Sequence, residues 1–150
     1  MRNQLEADHF RTTVSKDLSR LVVGQLIGSG AFRQVYEWLP DQSLVVKVEN
    51  GAQSFANVIE SEVWSRVKDT KFARWFAPVI QISDNGSVIL QARTEAIRQS
   101  ELPDRVPAFF TDLHSRNWGL LDGRPVCHDY GLNLLMENGM TKRMRKANWR

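Results

Sequence analysis

The chain has 150 residues, a single cysteine, 42% hydrophobic and 25% charged side chains, and a formal net charge of +3. That length supports one domain with its own core, that balance excludes whole-chain disorder, and a lone Cys127 excludes an intramolecular disulfide framework or a multi-cysteine metal site. No apolar run approaches the ~20 residues of a bilayer span, and the opening MRNQLEADHF carries early acids without an apolar stretch, so neither a membrane anchor nor a secretion signal is expected and the reducing cytoplasm is the expected setting.

Residues 1–20 form an N-terminal arm in which Phe10, Val14 and Leu18 recur every four positions, the spacing of an amphipathic helix or a docked arm. Leu21 to Ile27 reads as a strand, broken by Gly28-Ser29-Gly30. Arg33 to Leu39 reads as a second, and Pro40-Asp41-Gln42 as the turn into a third over Leu44 to Val48. A helix is predicted from Gln53 to Lys68, with Phe55, Ile59, Val63 and Val67 as its apolar stripe and Val58 widening it. Pro78 to Ile82 and Ser87 to Leu90 flank Asp84-Asn85-Gly86, a hairpin signal. Residues 92–107 are polar with two prolines and read as a connector with a short helix. Trp118 to Leu121 and Arg124 to Cys127 flank Asp122-Gly123, a second hairpin.

The basic charge is local. The last twelve residues hold five bases and no acid, leaving 15 bases against 17 acids in residues 1–138. The tail is expected to be a solvated helix or frayed end, with an anchor for an acidic partner as the alternative. Nucleic acid is not the expected main partner. The element order gives an α+β fold: a five-stranded antiparallel sheet with one helix after the third strand, then a loop and a small hairpin. The expected divisions are 21–91, 92–138 and a basic tail at 139–150.

Two clusters carry chemistry. In the first, Gly28 and Gly30 fall where one strand turns onto the next, and bare backbone there lets amides approach a phosphate, although two such glycines also serve simply as a turn. Downstream, Lys47 is flanked by Val46 and Val48, and a lysine drawn inward on a strand needs a counter-charge. The next helix offers Glu60 and Glu62. Glu60 is preferred because it shares the edge of the apolar face of Val63 and Trp64. In the second cluster, Asp112 and Asn117 lie five apart, and His128-Asp129-Tyr130-Gly131 follows the hairpin. Three oxygen-bearing side chains around one hairpin suit a hard cation on a nucleotide.

In this order the residues resemble the protein-kinase-like fold over 21–131. Gly28-Ser29-Gly30 with Phe32 and Val35 resembles the glycine-rich loop, and Leu44-Val45-Val46-Lys47 the strand that carries the phosphate-gripping lysine. Glu60 resembles the helix-C glutamate and Leu90-Gln91-Ala92 the hinge. Asp112 through Asn117 matches the D-x-x-x-x-N catalytic loop, and Asp129-Tyr130-Gly131 stands for D-F-G. The compact form is also similar to small kinase-like proteins of phages and bacteria. The resemblance implies a five-stranded N-lobe with helix C and a minimal C-lobe, using ATP and Mg²⁺ to phosphorylate Ser/Thr hydroxyls. Lys47, held by Glu60, would grip the phosphates, Asn117 and Asp129 would hold the metal, and Asp112 would act as catalytic base. Amides from Ser29 to Phe32 would cover the phosphates, and Ile27, Val35, Val45 and Leu90 would enclose the base.

The pattern also departs from the family. Arg33 replaces the third loop glycine, where it either reaches phosphate or points to water. Phe110-Thr111 replaces the usual His-Arg. His114 stands where protein kinases carry lysine, giving a D-L-H-x-x-N loop similar to that of aminoglycoside and choline phosphotransferases, so a γ-phosphate contact for His114 and a small-molecule acceptor stay open. Only 19 residues follow Gly131, so the acceptor half is expected to be nearly absent and completed by a partner protein, a second copy or a small acceptor. A non-catalytic module that binds nucleotide or a partner, such as a host protein, is the alternative.

Overall fold

The computed structural model describes residues 15–51, 54–131, 133 and 135–150. Residues 15–22 are helical (α1), followed by β1 (Val23–Ser29), β2 (Arg33–Trp38) and β3 (Leu44–Glu49). α2 (Ala56–Val67) leads through a 3₁₀ turn at Lys71–Trp75 to β4 (Val79–Ile82) and β5 (Val88–Ala92). The five strands form one sheet in the order β1-β2-β3-β5-β4, every pair antiparallel. The fold is thus α+β with a five-stranded antiparallel sheet, and among the described residues no helix is long and apolar enough to cross a membrane.

Beyond the sheet lie a 3₁₀ turn at Gln99–Glu101, β6 (Arg105–Pro107), a 3₁₀ turn at Ser115–Asn117, the hairpin β7 (Trp118–Leu121) with β8 (Arg124–Cys127), α3 (Leu135–Asn138) and β9 (Met144–Lys146). The second hairpin forms where expected because its two-residue turn takes positive φ at both positions, 51° at Asp122 and 74° at Gly123.

Three expectations are corrected. Leu21 and Val22 belong to α1 and not to the first strand. Sheet pairing begins only where the Val22 carbonyl accepts the Leu39 amide at 2.8 Å. Leu18 and Leu21 are exposed, so the described end of the arm is helical without being docked. The basic tail is neither a solvated helix nor a frayed end. β9 pairs antiparallel with β6, Trp149 donates its indole N–H to the Pro103 carbonyl at 3.0 Å, and the Arg150 amide and carbonyl bond Leu113 and Ser115. Finally, Phe55 and Val58 lie outside the buried stripe of α2, whose inward face is Asn57, Glu60, Val63 and Val67. The first turn of this helix faces charged groups, so polar side chains take its inner positions.

The core sits between α2 and the hairpin. Val63 and Val67 meet Phe76, Phe109, Phe110, Leu113, Trp118, Tyr130 and Leu135. Phe76 is its hub, with ring centroids 4.9 Å from Tyr130, 5.1 Å from Phe110 and 5.9 Å from Phe109. Trp118 continues the aromatic cluster to Trp149 at 5.2 Å.

A second seam ties the sheet's exit to the hairpin. Glu95 and Leu120 exchange backbone hydrogen bonds, and a Cβ on Gly119 would fall 2.4 Å from Thr94 Oγ1 and 2.8 Å from the Glu95 carbonyl oxygen. Backbone on one side of that gap cannot yield. Gly119→Ala is therefore expected to cost about 1–3 kcal/mol by overpacking, read as a lowered Tm. An unchanged Tm would mean that the two segments do not pack this closely in solution.

Candidate functional site

Sheet register decides which side chains share the inner face. Val35, Lys47 and Ile89 lie in one cross-strand row, and Val45 and Gln91 in the next. Leu90 instead pairs with Val46, which puts it on the opposite face from Val35 and Val45. Leu90 therefore does not complete the apolar enclosure expected with those two valines. Gln91 holds an inner position but is fully buried, and the Ala92 amide is already bonded to the Pro78 carbonyl at 2.9 Å. Ile27 lies at an irregularity in the β1–β2 pairing and is half exposed.

The glycine segment is an open turn. Gly28 and Ser29 end β1, and the Gly30 amide bonds the Arg33 carbonyl at 2.8 Å. A Cβ on Gly28 would meet nothing within 4 Å, so the backbone there borders open space. Phe32, at the turn's tip, is exposed.

Beneath the turn lies a buried charge network. Lys47 Nζ stands 3.0 Å from Glu60 Oε2 and 3.3 Å from Oε1, and also donates to the His128 carbonyl. Glu62 lies elsewhere, in a half-exposed pair with Arg66 at 3.3 Å. The choice between the two glutamates thus falls to Glu60. Arg33 does not point to water. It is buried, with Nη2 at 2.7 Å from Glu60 Oε1 and 2.8 Å from Asp129 Oδ1, and Nη1 at 3.1 Å from Asn57 Oδ1. Glu60 Oε1 also accepts the Tyr130 amide at 3.1 Å. Burial alone would raise the Glu60 pKa, but the charges of Lys47 and Arg33 outweigh it and bring it to about 2. Burial pushes Lys47 downward, against the pull of Glu60.

The second cluster meets the first through backbone. The Asn117 carbonyl accepts the amides of His128, at 2.8 Å, and Asp129, at 3.3 Å. Asn117 Nδ2 donates to Asp112 Oδ2 at 3.1 Å, so the two loop residues five apart face each other across the 3₁₀ turn. Asp112 Oδ1 receives Arg150 Nη2 at 3.3 Å. His114 contributes its carbonyl to the Asn117 amide, and its imidazole makes no hydrogen bond among the described residues. His128 fixes the hairpin between Thr94 Oγ1 and the Arg116 carbonyl, both at 2.8 Å, a structural role.

Lys47, Glu60, Asn117, Asp112 and the 128–130 segment are thus brought into one connected region. Reading residues singly missed the inward turn of Arg33, Asn57 as its acceptor, and Arg150 on Asp112. Arg33 had a signal: strand alternation places it on the same face as Val35 and Glu37. The side chains expected to hold Mg²⁺ do not fit a divalent cation as arranged. Arg33 occupies one Asp129 oxygen, the Asn117 amide is turned to Asp112, and among the described residues no group of three or more His, Cys, Asp and Glu is gathered. No protein-family model and no curated protein matches the chain.

Proposed function

We propose that the chain is a protein-kinase-like phosphotransferase, with the sheet and α2 as a nucleotide-binding lobe and residues 92–138 as a minimal second lobe. The observation that carries this reading is the buried Lys47–Glu60 pair, set under an open glycine turn and joined through the 128–130 segment to the Asp112–Asn117 loop. Such a cation, held by a carboxylate that stays ionised, suits the phosphates of ATP. Val35 and Val45 share the lysine's face of the sheet and offer apolar surface to a base.

In this reading a Ser/Thr hydroxyl oxygen attacks the terminal phosphorus of ATP. The bond from that phosphorus to the ADP oxygen breaks, and the hydroxyl proton passes to Asp112. Asn117 orients Asp112 by its amide, and Arg150 must leave the carboxylate for the acceptor to approach. Positioning and charge supply the catalysis.

Removing the base is expected to reduce labelled phosphate transfer from ATP by ~10²–10⁴-fold in Asp112→Asn while ATP affinity stays within a few-fold. Transfer that continues undiminished in this variant would end the proposal. A second reading, a non-catalytic module that binds nucleotide and captures a partner protein, is favoured by the Arg150 contact on Asp112 and by Phe110-Thr111 preceding it. It calls for partner capture that survives Asp112→Asn.

A further inference from the structure

Arg33 raises a question that the nucleotide reading leaves open. The kinase-like resemblance implies a metal ion at Asp129 that would link this carboxylate to the phosphates. Here Asp129 is already met by a cation built into the chain. The Arg33 guanidinium lies 2.8 Å from Asp129 Oδ1 and is fixed from behind by Glu60 at 2.7 Å and Asn57 at 3.1 Å. Glu60 and Asn57 are fully buried and Arg33 nearly so, whereas the Asp129 side chain is 51% exposed. The arginine is therefore held by the interior, and the aspartate lies on the solvent side of it.

Charge bookkeeping points the same way. Lys47 and Arg33 balance Glu60 and Asp129, so the four-residue network is neutral as it stands. A divalent ion on Asp129 would have to compete with a guanidinium that is already desolvated, hydrogen-bonded and in place. Guanidinium is always ionised near neutral pH and carries a planar fork of N–H donors suited to phosphate oxygens. Burial opposes its charge, but Glu60 and Asp129 more than restore it. Arg33 also begins β2 directly after the open glycine turn, so its backbone borders the space where phosphates would enter while its guanidinium lies just inside, at Asp129.

We propose that Arg33 takes the place of a divalent cation at Asp129, so that this site binds the polyphosphate of a nucleoside triphosphate without a metal. The proposal rests on the nucleotide reading above and deepens it by assigning the phosphate partner and the ion requirement.

The test is ATP titration of the full chain by calorimetry, in EDTA and in excess Mg²⁺, for wild type, Arg33→Ala and Arg33→Lys, with circular dichroism to confirm folding. Wild type is expected to bind in EDTA within about two- to three-fold of its affinity in Mg²⁺. Arg33→Ala is expected to lose at least tenfold in EDTA and to regain binding when Mg²⁺ is added, since the vacated Asp129 then accepts the ion. Arg33→Lys keeps the charge without the fork and is expected to fall between them, and it carries the comparison if the alanine variant does not fold. Wild-type binding that drops tenfold or more in EDTA overturns the proposal and leaves the nucleotide reading standing. Binding in EDTA that persists undiminished in both folded Arg33 variants overturns the assignment to Arg33. Absence of ATP binding under both conditions overturns the nucleotide reading itself.

Discussion

Glu60→Gln is expected to lose about 3–5 kcal/mol of folding stability, because it leaves Lys47 and Arg33 buried with their shared counter-charge gone. Against a total of roughly 5–15 kcal/mol for a domain, that is a large fraction, and it corresponds to a drop in Tm of roughly 10 °C at this chain length. The glutamine amide would also present donors to two cations and weaken the bond from the Tyr130 amide, loosening the segment that carries Asp129. The pH dependence has a definite sign. The folded Glu60 pKa of about 2 lies below its ordinary value of 4.5, so its contribution is fully present above about 4.5 and lost as pH falls through about 2. The shift is worth about 3 kcal/mol across that window. Urea unfolding between pH 5 and 2 would show the slope in wild type and a flatter one in Glu60→Gln. A variant within about 1 kcal/mol of wild type, with the same acid slope, would mean that this network does not tie the 128–130 segment to the sheet and α2.

Phe76→Ala is expected to cost a similar ~3–5 kcal/mol, through lost transfer energy and the cavity left among Phe109, Phe110 and Tyr130. The position also joins the two halves of the molecule. Phe76 bridges in parallel to Cys127 on β8, and the neighbouring Ala77 amide bonds the Cys127 carbonyl at 2.8 Å. Phe76→Leu, which refills most of the volume, should recover more than half of the loss in denaturant unfolding. Equal losses for the two substitutions would locate the effect in ring geometry and not in filled space.

Sequence pattern served best where backbone chemistry is local. The hairpin at Asp122-Gly123 and the turn at Asn85-Gly86 are encoded by residues that accept positive φ, and both formed where the pattern placed them. The β3 run Leu44-Val45-Val46-Lys47 likewise announced a buried strand with a lysine drawn into it. The pairing of β6 with β9 was illegible for the opposite reason. Each has three residues, Met144-Arg145-Lys146 shows no apolar alternation, and their partnership spans about forty positions. α2 was misphased at its start because Phe55 and Val58 are apolar but exposed, while Asn57 and Glu60 are polar but buried among partners that come from β2 and β3. In the site, charge identity was readable and charge pairing only partly so. Lys47 demanded a carboxylate and found the favoured one, but the second cation on that carboxylate follows from strand parity and not from any spacing motif. Arg150 on Asp112 depends on how the last strand returns to the loop of residues 112–117, which no local pattern records.

Cys127 offers a consequence for measurement. Its thiol is buried at the end of β8, 3.3 Å from the Asp129 carbonyl oxygen, and burial pushes its pKa well up, so the folded site hides it from a thiol-labelling reagent. As the chain's single cysteine, it reacts only when the hairpin leaves the Phe76 strand bridge or the whole domain opens. The labelling rate is therefore a built-in clock for opening at Asp129. If the proposed nucleotide binds, a slower rate in its presence would measure, without any engineered probe, how firmly the ligand holds the hairpin against the rest of the fold.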